Sequence, residues 1–98
     1  MSLLDLRAIA RQLPSAWNSS ILGAVGPARI KIVRMDAQAY GEETHPYDEG
    51  LLVLDGEMML EVAGKPVVVG AGQMYLAKAG VAHAVLPGSQ GTLIIIDL

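Results

Sequence analysis

Two histidines are all this chain contains, and both fall where a divalent cation could use them. His45 sits in the run Glu43, Thr44, His45, Pro46, Tyr47, Asp48, Glu49, just ahead of the apolar stretch Leu51 to Leu54. His83 follows Gly80, Val81 and Ala82. Imidazole nitrogen and carboxylate oxygen together suit borderline divalent metals. Side chains two apart on a strand share a face. Glu43, His45 and Tyr47 are therefore expected on one face, Glu49, Leu51 and Val53 on another, and His83 with Val81 and Val85 on a third. If all three faces look into one barrel, apolar residues form its wall and polar ones meet near its mouth. A histidine and a glutamate buried among Leu and Val are costly unless paired or ligated, and a cation supplies the partner. Tyr47 could offer its hydroxyl to a substrate, or stand as a wall tyrosine with its tip in water.

The elements that must position these residues are short strands. Ala28, Ile30 and Ile32 alternate with Arg29 and Lys31, the pattern of a half-buried strand. Asp55 and Gly56 read as a hairpin turn between Leu51 to Leu54 and Met58 to Val62. Ala63 to Pro66 is the next turn, ahead of Val67 to Val69. Gly70 to Gly72 precedes a strand over Gln73 to Leu76. Ala77 to Gly80 breaks the chain before Val81 to Leu86, and Pro87 to Gly91 leads into Thr92 to Asp97. Strands at such regular spacing, with no helix between them, mean an all-β sandwich or barrel rather than a parallel α/β sheet. Ahead of them, Leu3, Leu6, Ile9, Ala10 and Leu13 fall on one helical face, with Ser2 as a cap and Pro14 as a stop. This arm, residues 1 to 14, is expected to pack against the domain or a partner subunit. Trp17, Tyr40 and Tyr75 read as anchors under loops or at an interface. Met35, Met58, Met59 and Met74 read as core packing before pocket lining.

Composition sets the outer bounds. Ninety-eight residues make a single domain, and 52% of them are apolar, which is rich for so small a chain. The excess points to a subunit interface, so a homodimer is expected. With no cysteine, neither a disulfide framework nor a thiolate site exists, as suits a cytoplasmic protein. Asp5 and Arg7 interrupt the N-terminal leucines, so no secretory signal is expected. No apolar run approaches the roughly 20 residues of a membrane helix. A net charge of −3 without a basic cluster argues against nucleic acid.

With these residues in view, the chain resembles the cupin superfamily over roughly residues 28 to 97. That family's first motif has two histidines one residue apart, then a glutamate, then a glycine beyond an apolar strand. His45 matches the second histidine, Glu49 the glutamate and Gly56 the glycine. In the second motif, Gly72, Gly80 and His83 match. The resemblance implies a jelly-roll β-barrel, often dimeric, with a metal inside. Four positions depart from the pattern. Glu43 stands for the first histidine, Ala37 for the leading glycine, Lys78 for the turn proline and Pro87 for a late asparagine. Glu43 is the consequential change. As a ligand it would complete a two-nitrogen, two-oxygen set with His45, Glu49 and His83, favouring manganese, iron or zinc over copper. Off the metal, it would leave an open facial triad and be free as a general base. Two functions compete at this point. One is a metal-dependent enzyme acting on a small polar substrate; the other is a non-catalytic binding or sensing module for a small molecule, with or without metal.

Overall fold

A computed structural model describes residues 2–98. One short helix, α1 (Leu6–Arg11), precedes eight strands: β1 (Ser20–Val25), β2 (Ala28–Met35), β3 (Tyr40–Glu43), β4 (Glu49–Val62), β5 (Lys65–Gly70), β6 (Met74–Ala77), β7 (His83–Val85) and β8 (Gln90–Asp97). They form a single curled antiparallel sheet in the order β1-β2-β8-β4-β7-β3, with β5 and β6 also paired to β4. The all-β cupin-like barrel with a helical arm is what the sequence implies.

β4 organises the sheet. Its first half pairs with β6 and β8, and its second half with β5 and β7. Asp55 and Gly56 therefore do not reverse the chain, contrary to the hairpin expected there. They mark a register shift between Val53 and Asp55, where β4 bends and runs on. The bend has a steric cause. Gly56 has φ +77 and lies directly against Gly91, whose φ is +109. A Cβ on Gly56 would come within 2.0 Å of the Gln90 carbonyl oxygen. Only a residue with no side chain allows so close a backbone approach at positive φ. The true hairpin turns are Ala63–Gly64 (φ 50 and 80) and Gly26–Pro27.

The shift at the bend changes which residues face inward. Glu49, Leu51 and Val53 face the interior before it, and Met58 and Leu60 after it, joined by Val33, Met35, Val69, Ala77 and Leu93. The opposite face of β2 and β8 carries a second cluster. Ile32 and Ile94 are covered there by Ala10, Leu6, Ile9 and Leu13 of the arm. The helical arm thus packs on its own domain, except for Leu3 and Leu4, which are exposed. Asp5, not Ser2, is its cap, accepting from the Ala8 amide at 3.1 Å. The helix stops at Arg11, three residues before Pro14. β1 has no counterpart in the sequence reading. It is an edge strand with little alternation and almost no burial, so hydrophobic periodicity carries no signal of it. Among the described residues no helix is long and apolar enough to cross a membrane.

Candidate metal centre

Four segments bring the acids and imidazoles together. Glu43 is the last residue of β3 and lies opposite His83, the first residue of β7. Glu49 opens β4, next to β6. His45 is not on a strand, as the alternation argument had it, but in the loop between β3 and β4. Its carbonyl accepts from the Gly80 amide at 2.9 Å, which ties that loop to the turn before β7. Val81 likewise lies in that turn, so only Val85 shares a strand face with His83. Tyr47 stacks on the His45 ring, with centroids 5.1 Å apart and planes 10° apart. The stack holds the imidazole over the cavity.

His45 Nε2 lies 3.3 Å from Glu43 Oε2 and 3.9 Å from Glu49 Oε2. His83 Nε2 lies 3.2 Å from Glu49 Oε1. One ligand atom from each of Glu43, His45, Glu49 and His83 lies within 4.8 Å of all the others. Ligand bonds of about 2.0–2.2 Å place donors on opposite sides of an ion roughly 4 Å apart, so the cluster is close to a coordinating size. Glu49 and His83 are buried, and Glu43 and His45 partly so.

The buried pair has room for a proton or a cation between its two members. His83 Nδ1 lies 3.3 Å from the Val81 carbonyl oxygen, which can only accept, so Nδ1 carries the hydrogen. Nε2 then presents its lone pair to Glu49. Two acceptors facing each other in a buried site need a proton or a metal ion between them. Burial raises the Glu49 carboxyl above its ordinary range, and the Glu43 charge adds to this, against the opposing pull of His45 and His83. A carboxyl raised in the fold holds its proton more tightly there than in the unfolded chain. Its contribution to stability is present at low pH and is lost as pH rises from about 4.5 through the raised value. In metal-free protein, urea titrations at several pH values should show that decline, and Glu49→Gln should flatten it. An unchanged slope would mean that Glu49 is not the buried acid.

These residues line a cavity of about 210 Å³. Its wall is Val33, Leu51, Met58, Leu60, Leu93 and Ile95, with Trp17, Tyr40 and Tyr47 among its aromatic lining. Met58 is fully buried, whereas Met74 is half-exposed at the surface. A family profile described as a cupin domain matches residues 31–98. The chain belongs to the cupin family. No curated protein matches this cupin. Among solved structures, a cupin-2 domain protein from Shewanella frigidimarina is similar at a TM-score of 0.89 and 18% identity, over 97% of this chain and 93% of its own. Protein NMB1881 from Neisseria meningitidis is similar at 0.85 and 22% identity, over 98% of both chains. The protein of unknown function SPY1581 from Streptococcus pyogenes is similar at 0.80 and 21% identity, over 96% of this chain and 83% of its own. At these identities the likeness is one of fold.

Lys31 and Asp97 also line the cavity, and sequence reasoning missed both. Alternation alone could not reveal them, because β2 is covered on both faces. Ile30 and Ile32 pack under the arm, which leaves Lys31 to the barrel interior. The one available signal was parity with Leu93 and Ile95, which puts Asp97 inside.

Proposed function

We propose that this cupin holds one divalent cation on Glu43, His45, Glu49 and His83 and binds a small polar molecule beside it. The carrying observation is the convergence of four donors within 4.8 Å at the head of a 210 Å³ cavity. Two nitrogens and two carboxylates suit manganese, iron or zinc, and the two negative charges balance a dication. Such an ion supplies Lewis-acid polarisation of a ligand oxygen. The chain's own groups do the rest. Tyr47 fixes the His45 ring, Val81 fixes the His83 tautomer, and the apolar wall limits water. Glu43, whose side chain is 39% exposed, is the most accessible of the four and faces the incoming molecule. We assign it as the fourth ligand.

Glu43→Ala should weaken manganese binding at least about tenfold, read by calorimetry, because losing even a residue that only supports a ligand commonly costs that much. Unchanged affinity would take Glu43 off the ion and leave it as a base. Oxalate, a small bidentate probe, should bind the manganese-loaded protein one to one without stripping the ion. Failure to bind, or loss of the metal to oxalate, would contradict an open coordination position. A homodimer is part of the same proposal, supported by the exposed Ile21 and Val25 on the edge strand β1.

A further inference from the structure

Beside the four-residue cluster, the same cavity is lined by a charged pair. Lys31 Nζ donates to Asp97 Oδ2 at 2.9 Å. The side chains are 17% and 4% exposed, so both are withdrawn from bulk water. Asp97 Oδ1 is closed to solvent and ion-paired with the Arg29 guanidinium at 3.5 Å, so Oδ2, the oxygen that Lys31 touches, is the one left for a further partner. Oδ2 has a second lone pair beside the one that accepts from Lys31. Lys31 has three donor hydrogens and uses one on Asp97. This stretch of wall therefore offers a donor and an acceptor side by side. Register places this wall close to the cluster: Gly50 pairs with Ile96 and Leu51 with Ile95, so the next step sets Asp97 beside Glu49.

Few chemical groups satisfy both partners. A carboxylate accepts from Lys31 but repels Asp97. An ammonium donates to Asp97 but repels Lys31. A hydroxyl accepts from the one and donates to the other. The cavity volume of about 210 Å³ corresponds to roughly seven to ten non-hydrogen atoms, at about 30 Å³ for each water-sized group with some closer packing. We propose that the Lys31–Asp97 pair selects the ligand, and that the ligand is a small polyhydroxylated acid. Its acid end meets the Glu43, His45, Glu49 and His83 cluster, and a hydroxyl farther along bridges Lys31 and Asp97. This rests on the reading of that cluster as a metal centre.

The test titrates the manganese-loaded full chain with L-threonate and with 2-hydroxybutanoate. The two share an α-hydroxy acid end, and only threonate has hydroxyls beyond it. Threonate should bind at least tenfold more tightly. Lys31→Met should remove most of that preference, leave 2-hydroxybutanoate within about twofold of its original affinity, and leave manganese content unchanged. Lys31→Gln, which keeps a donor for Asp97 and so protects the fold, should show the same loss to a smaller degree. Equal affinities for the two acids would overturn the proposal, as would a preference that survives both variants, while leaving the metal centre standing. So would binding of neither acid. A protein that takes up no manganese would remove the metal centre first and this proposal with it.

Discussion

Adding manganese to metal-free protein should raise its melting temperature by roughly 10 °C or more, and His83→Ala should erase the increase. A ligand present at one hundred times its dissociation constant stabilises the fold by about 2.7 kcal/mol. In a domain of about 100 residues, each kcal/mol is worth roughly 4–8 °C. His83 is the most telling position. It is buried, its Nδ1 is committed to Val81, and its Nε2 can face only the cluster. Removing it takes away one of two nitrogen donors and leaves Glu49 without its nearest partner. Tyr47→Phe keeps the ring stack on His45 and should retain the stabilisation. A shift that persists in His83→Ala, followed by differential scanning calorimetry, would mean that the ion sits elsewhere.

Gly56→Ala should cost more than about 3 kcal/mol, a large share of the roughly 5–15 kcal/mol that holds a small domain folded. Two penalties add. An alanine at positive φ costs about 1–2 kcal/mol. Beyond that, its Cβ would sit 2.0 Å from the Gln90 carbonyl oxygen and 2.9 Å from Gly91 Cα. Both are backbone atoms of β8, which cannot move aside without breaking its ladder to β2 and β4. Gly64→Ala is the control. Its φ is +80, but a Cβ there meets nothing within 4 Å among the described residues, so only the cost of about 1–2 kcal/mol from the backbone applies. Urea unfolding midpoints separate the two. A Gly56→Ala protein within about 1 kcal/mol of the parent would show that the β4 bend does not depend on this close approach.

Much of the fold is legible in the sequence, because turn chemistry and apolar runs mark most strands directly. Val67 to Val69, Met74 to Leu76 and Leu93 to Ile96 are all strand, and Leu6, Ile9 and Ala10 form the inward face of a helix, with Leu13 packing beside them from beyond its end. The misreadings have local causes. Asp55 and Gly56 carry the residue types of a tight turn, but the same tolerance of positive φ serves a bend within a long strand. His45 reaches the cluster from a loop, so strict alternation placed it on the right side for the wrong reason. β1 tucks in only Leu22 and leaves no periodic trace. The cluster of Glu43, His45, Glu49 and His83 was legible because histidine is rare here and its spacing from the acids was distinctive. Lys31 and Asp97 were not, since which side of a doubly covered strand faces inward is decided by where the arm docks.

Elemental analysis of protein purified without any chelator tests the central claim most directly. The account predicts about one divalent ion per chain, manganese, iron or zinc, lost in the protein carrying both His45→Ala and His83→Ala. Less than about a tenth of an equivalent in the parent, with no uptake when each of the three metals is supplied, would contradict it.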